Sequence, residues 1–191
     1  MSQLKITPTA IPEVVVFEPP VFGDERGFFQ ETFRSEWFDA LDIKPTFVQD
    51  NHSRSSHGIL RGLHLQREHT QGKLVRVTQG EVFDVAVDLR LDSPTYGKWV
   101  GEVLSSENKK VFWVPEGFAH GFVVLSETAE FLYKCTNYYH PASDLSVAFD
   151  DPALAIDWCI DHEKISLSEK DKNGRAFVSG MGFKEGVWQE P

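Results

Sequence analysis

Cysteine is almost missing from this 191-residue chain: Cys135 and Cys159 are the only two, and they lack any metal-binding or redox spacing. Both thiols are expected to be reduced. Long apolar runs are missing as well. No stretch resembles a membrane span, and Met1 to Pro8 has no apolar signal-peptide core, so the expectation is a cytoplasmic protein with no membrane partner. Positive charge is scarce. The 19 Lys and Arg against 29 Asp and Glu leave a formal charge of −10, which argues against nucleic acid or an acidic membrane as partner, because both need a broad basic surface. An anionic small molecule held by a local Arg and Lys cluster stays possible. Repeats, low-complexity tracts and linkers are absent too, so residues 1–191 are expected to form one domain.

What is present is strand. Glu81 to Arg90 alternates, placing Phe83, Val85, Val87 and Leu89 on one face and Asp84 and Asp88 on the other. Similar runs cover 14–18, 73–78, 98–104, 111–114, 121–125 and 130–138, separated by turn residues such as Gln79-Gly80, Ser93-Pro94 and Pro115-Glu116-Gly117. Helix is sparse: Trp37, Phe38 and Leu41 have helical spacing, and Asp151-Pro152 reads as an N-cap followed by proline at the first helical position. Many short strands with frequent turns imply an all-β sandwich or barrel with a few short peripheral helices.

Two segments set a histidine into an apolar strand. They are Gly58-Ile-Leu-Arg-Gly-Leu-His64-Leu-Gln66 and Val114-Pro-Glu-Gly-Phe-Ala-His120-Gly-Phe122. Their spacing resembles the two motifs of the cupin superfamily, a double-stranded β-helix or jelly-roll barrel that often holds a metal with three His and one Glu. Gln66 replaces the second histidine of the first motif, no glutamate follows, and Lys73 brings a positive charge near the would-be cation. Two histidines are a poor set for a divalent metal, so none is expected.

A narrower resemblance rests on six motifs in order: Phe22-Gly-Asp-Glu-Arg-Gly-Phe-Phe29, Phe47-Val-Gln-Asp-Asn-His-Ser53, Leu60-Arg-Gly-Leu-His64, Gln71-Gly-Lys-Leu-Val-Arg76, Pro115 to Phe122, and Leu167-Ser-Glu-Lys-Asp171. Together they resemble the dTDP-4-dehydrorhamnose 3,5-epimerase family from about residue 11 to 178. Leu65 departs from the pattern where an aromatic residue is common, Asp144 departs where glutamate is frequent, and the tail 178–191 matches nothing in it. The resemblance implies inversion of the sugar carbons C3 and C5 of dTDP-4-dehydro-6-deoxy-glucose, both α to the C4 ketone, without a cofactor. It further implies His64 as base, Asp171 as its partner, Lys73 holding the C4 oxyanion, and Tyr133 as acid. Arg26, Glu31, Gln49, Asp50, Asn51, Arg61, His120, Asp144 and Lys170 are implied to line the sugar-nucleotide site with Lys73, and Tyr139 to stack on thymine. The family also implies a homodimer with a strand crossing between subunits, in which Glu31 or Gln49 to Asn51 complete the partner's pocket. The segment Ile11 to Glu18 is expected to present an exposed edge that pairing would cover.

Read without the resemblance, each residue has a plainer role. A strand histidine is ordinarily a satisfied core residue, Ser168-Glu-Lys-Asp171 also fits a capping box, Lys73 could be a solvated lysine after a turn, and Tyr133 an ordinary packing residue. Strict alternation puts Arg61 on the face opposite His64, so both reach one pocket only if a bulge lies near Gly62. A C3-only or C5-only epimerase, a metal-dependent cupin oxygenase and a noncatalytic sugar-nucleotide barrel are the other readings.

Overall fold

The computed structural model describes residues 3–191. In chain order its strands begin with β1 (Lys5–Pro8), β2 (Val15–Glu18), β3 (Val21–Asp24), β4 (Gly27–Gln30), β5 (Gln49–Ser56), β6 (Leu60–Gln66), β7 (Lys73–Gln79) and β8 (Glu81–Asp88). There follow β9 (Trp99–Ser105), β10 (Val111–Val114), β11 (Phe118–Val124), β12 (Thr128–Cys135), β13 (Asp144–Ser146), β14 (Gly182–Lys184) and β15 (Val187–Gln189). One sheet runs β1-β2-β10-β7-β12-β5 and the other β13-β6-β11-β8-β9, all pairings antiparallel. The two sheets face each other as a jelly-roll barrel of the cupin type.

Three apolar layers hold it. Between the sheets, Val75, Val77, Phe112 and Phe131 of the first meet Val82, Ala86, Phe118 and Phe122 of the second. Phe122 and Phe131 stack at 4.1 Å across the gap. Each valine and phenylalanine among them contributes about 1.5–3 kcal/mol by leaving water. A second layer covers the outer face of the second sheet, where Leu63, Val85, Val87 and Val123 lie under Trp158, Met181 and Phe183 from the C-terminal region. The third covers part of the first sheet with Trp37 and Phe38 from the 3-10 helix Ser35–Leu41, the segment expected to be helical.

The apolar face of β8 points outward under the C-terminal residues, while the face with Asp84 and Asp88 turns into the barrel, and both carboxylates are fully buried. Two expectations are revised. Asp151-Pro152 starts no helix: Asp151 Oδ1 caps Ala153 N at 2.9 Å, but Ala155 with φ of 47° ends the segment within one turn. The segment Ile11 to Glu18 is not an edge, because β2 is paired with β1 on one side and β10 on the other. The edges of that sheet are β1 and β5.

Candidate active site

A register irregularity brings the site together. Along β6 and β11, His64 pairs with His120 and Arg61 with Phe122, so three steps on β6 match two on β11. That is a β-bulge, and the extra residue puts Arg61 and His64 on the same inner face. Gly62 has φ of 139°, and a Cβ there would stand 2.5 Å from Gly121 Cα, so the bulge depends on two glycines in backbone contact. Arg61 Nε donates to Ser55 Oγ at 3.0 Å across the barrel.

The inner face of the second sheet then carries a row of Ser146, His64 and His120 on β13, β6 and β11. His64 Nε2 lies 2.5 Å from Asp171 Oδ1. Asp171 belongs to the short helix α1 (Glu169–Lys172), whose N-cap Ser168 Oγ donates to Asp171 Oδ2 at 2.7 Å and accepts from Asp171 N at 3.2 Å. The capping box and the histidine partner are therefore one structure: the cap fixes the carboxylate that orients the ring. Burial holds the His64 imidazole below its ordinary pKa, with Asp171 offsetting part of that, so the ring rests neutral. Burial alone would push the Asp171 carboxyl up, but His64 and Ser168 outweigh it and keep the group ionised.

Facing this wall, the first sheet presents one row of Gln49, Cys135, Lys73 and Val114 and a second of Asn51, Tyr133, Val75 and Phe112. Lys73 is only 9% exposed, and burial lowers its ammonium below the ordinary lysine range. Tyr133 is half-buried against the inner core, and burial pushes its phenol up to about 12. Phe131, two residues before Tyr133, stacks against His120 at 6.3 Å, which fixes the Tyr133 wall against the histidine wall. At the barrel mouth, Asp144 accepts from Tyr139 Oη at 3.0 Å and from Lys170 Nζ. Tyr139 is exposed, and its backbone N donates to Gln49 Oε1 at 2.9 Å.

The arrangement offers a neutral base with an anionic partner, a buried cation and an opposing neutral phenol. Among the described residues no three His, Cys, Asp or Glu side chains are placed to hold a metal ion, and His64 and His120 are each engaged by a carboxylate.

Comparison with known proteins agrees in every direction. The sequence profile described as dTDP-4-dehydrorhamnose 3,5-epimerase matches residues 8–179. The dTDP-4-dehydrorhamnose 3,5-epimerase of Pseudomonas aeruginosa is 58% identical over 181 residues, covering 94% of this chain and 99% of that one. That of Salmonella typhimurium is 62% identical over 152 residues, 78% of this chain and 83% of the relative. The crystal structure of dTDP-6-deoxy-D-glucose-3,5-epimerase from Legionella pneumophila in complex with dTDP-4-keto-L-rhamnose superposes with a TM-score of 0.87 at 56% identity, over 91% of this chain and 92% of that one.

The chain belongs to the dTDP-4-dehydrorhamnose 3,5-epimerase family. It is an isomerase.

Within this epimerase, His64, Asp171, Lys73, Tyr133, Gln49, Asn51, Arg61, His120, Tyr139, Asp144 and Lys170 all gather at the barrel interior or its mouth. Three expected residues do not. Arg26 sits at the tip of the β3–β4 hairpin paired with Asp24, Glu31 pairs with Arg34, and Asp50 points to the outer face, where Lys134 meets it at 3.0 Å. Gln49 and Asn51 face Cys135 and Tyr133 of their own chain. Sequence reasoning gave no site role to Asp84, Cys135 or Ser146. Asp84 Oδ1 lies 2.8 Å from His120 Nε2 while its Oδ2 is buried without a partner, and burial raises the carboxyl. Ser146 Oγ, beside His64, is likewise buried and unpaired. The parity of Asp84 with Ala86 was the available signal; nothing in the sequence said which face of β8 turned inward.

Proposed function

We propose that this epimerase inverts C3 and C5 of dTDP-4-dehydro-6-deoxy-α-D-glucose to give dTDP-4-dehydro-β-L-rhamnose, in dTDP-L-rhamnose biosynthesis, with the residue roles that follow. The carrying observation is the His64–Asp171 pair on one barrel wall facing the Tyr133 phenol on the other. Hydrogens at C3 and C5 are both acidified by the C4 ketone. Neutral His64 removes one, and Asp171 stabilises the imidazolium that forms. The electron pair moves onto the C4 oxygen as an enolate, whose charge the Lys73 ammonium meets in a dry pocket where such an interaction is far stronger than in water. Tyr133, held neutral by its raised pKa, delivers a proton to the opposite face of the same carbon. One proton leaves and one arrives, so the step needs no oxidant, reductant or metal.

Arg61, His120, Asn51, Gln49, Asp144 and Lys170 hold the sugar nucleotide, and Tyr139, exposed at the mouth, offers a flat face to thymine. We read the 191 residues as one domain working in the cytoplasm as a homodimer. The β3–β4 hairpin supports the dimer, since it exposes the cross-strand pair Phe22 and Phe29 on one face and Phe28 on the other, apolar surface that a monomer would leave in water.

Incubating the enzyme with dTDP-4-dehydro-6-deoxy-glucose in deuterium oxide and following the sugar by NMR tests the reading. Deuterium at both C3 and C5 is expected. Exchange confined to one carbon would make the protein a single-site epimerase, and exchange at neither would remove the base from His64 and the reading with it.

A further inference from the structure

The last residues lie beyond the family profile, which ends at residue 179, yet they are tied into the barrel. Tyr96 Oη donates to Met181 O at 2.6 Å and accepts from Gly180 N at 3.2 Å. Phe183 N donates to Leu89 O at 2.7 Å, and Leu91 N donates back to Phe183 O at 2.8 Å. A Cβ on Gly182 would stand 2.1 Å from Leu89 O, so glycine is what lets the β14–β15 hairpin approach this closely. Trp188 packs edge-on against Phe183 with ring centres 5.1 Å apart, and Met181 and Phe183 are buried.

Phe183 separates two spaces. On one side it borders an open cleft of about 480 Å³ with Arg90, Glu116 and Glu185. On the other it borders a small cavity of about 10 Å³ with Gln66, Gln71, Phe118 and Lys73. The second space holds one water at most, by the usual size of about 10–15 Å³ for a single probe sphere. Thr70, Gly117 and Phe183 line both spaces, and Phe183 is the bulkiest of the three.

We propose that Phe183 is a positioning residue of the active site: the C-terminal hairpin stoppers the barrel end behind Lys73 and keeps water from its ammonium. The proposal rests on the reading of Lys73 as the holder of the C4 oxyanion. A wet ammonium would spend its field on solvent and stabilise the enolate less. It would also titrate closer to an ordinary lysine. The charges around Lys73 come from Asp84 on β8, Asp144 on β13, Lys170 on α1 and the Cys135 thiol on β12, with His64 on β6. None of them is altered by a change at 183, so a moved titration reports water.

The test uses the full chain with Phe183→Ala, Phe183→Leu and Tyr96→Phe, and measures kcat and KM from neutral to alkaline pH. Phe183→Ala should lower kcat roughly tenfold, the scale of a weakened oxyanion contact. KM should stay within about twofold, since an interaction made mainly in the transition state is being lost. The alkaline limb, where Lys73 loses its proton, should move to higher pH by roughly half a unit to one unit as burial is relieved. Phe183→Leu should recover most of the loss. Tyr96→Phe, which loosens the hairpin without emptying the barrel end, should move both quantities the same way by less, and decides the matter if Phe183→Ala does not fold. Val187→Ser, on the exposed side of the hairpin, should change nothing. A lower kcat with an unmoved alkaline limb, or normal kinetics in Phe183→Ala, overturns the proposal. Lys73→Gln separates the two layers: if it keeps full activity, the reading of Lys73 is wrong and the proposal falls with it, whereas a dead Lys73→Gln beside a normal Phe183→Ala removes the stopper alone.

Discussion

Asp171 serves two structures at once, and that governs what its substitution does. Its carboxylate raises the basicity of a His64 ring that burial has lowered. Asp171→Asn should therefore slow turnover and move the acid limb of kcat/KM to lower pH, because neutral His64 then persists further into acid; an unmoved limb would mean that His64 is not the group titrating. The same change weakens the Ser168 cap, at a cost of about 1 kcal/mol in stability, so a small fall in Tm accompanies it. His64→Ala should cost about 10² to 10⁴ in kcat. Tyr133→Phe keeps the ring packing and removes only the acidic hydroxyl, so deuterium should still wash in from solvent while completed inversion falls sharply. Parallel loss of exchange and inversion would show that the two faces do not divide the work. His64 and Asp171 were legible because each lies in one of six motifs that occur in order, whereas Tyr133 lies in none of them and was named by the resemblance alone. Asp84 and Ser146 were not legible, since their positions depend on which face of β8 and β13 the rest of the chain covers.

At the scale of elements, the bulge at Gly62 shows how far alternation can be trusted. Alternation alone set Arg61 against His64, and the glycine between them was the cue that the rule could break. Strand β5 gave no cue: Gln49–Ser56 is polar on both faces, because one lines a polar site and the other reaches solvent. The end of β8 makes a separate point about stability. Asp88 is fully buried and accepts from Arg90 Nη2 at 2.7 Å, Ser93 Oγ at 2.6 Å and Thr95 Oγ1 at 2.6 Å. Burial alone would raise this carboxyl, but the three partners hold it below the ordinary aspartate value. A depressed carboxyl stabilises the fold above its unfolded pKa and loses that contribution as pH falls through the folded one. Denaturant melts should thus show stability declining below about pH 4, the unfolded aspartate value, and Asp88→Ala should cost about 3 kcal/mol at neutral pH. The Asp88→Ala variant should also have a flatter acid profile; an equally steep one would place the acid sensitivity elsewhere.

For the whole molecule, the barrel and its antiparallel sheets could be read from strand count and turn spacing, while the homodimer came from the resemblance alone, because exposed apolar residues acquire meaning only once the fold shows where they stand. Phe22 and Phe29 stand together on one face of a hairpin that carries Phe28 on its other face and, at its tip, Arg26 paired with Asp24. If that hairpin reaches into a second copy, Arg26 and His64 of one working site come from different protomers. Arg26→Ala and His64→Ala should each be nearly inactive as pure proteins. Mixed under conditions that exchange subunits, they should recover about a quarter of wild-type activity, since half the dimers are hybrids and each hybrid holds one complete site of two. Were Arg26 to serve its own protomer, every site in the mixture would lack one residue and no activity would return. Phe28→Asp should shift sedimentation toward monomer and abolish the recovery, and a stable, fully active monomer in that variant would defeat the shared-site dimer.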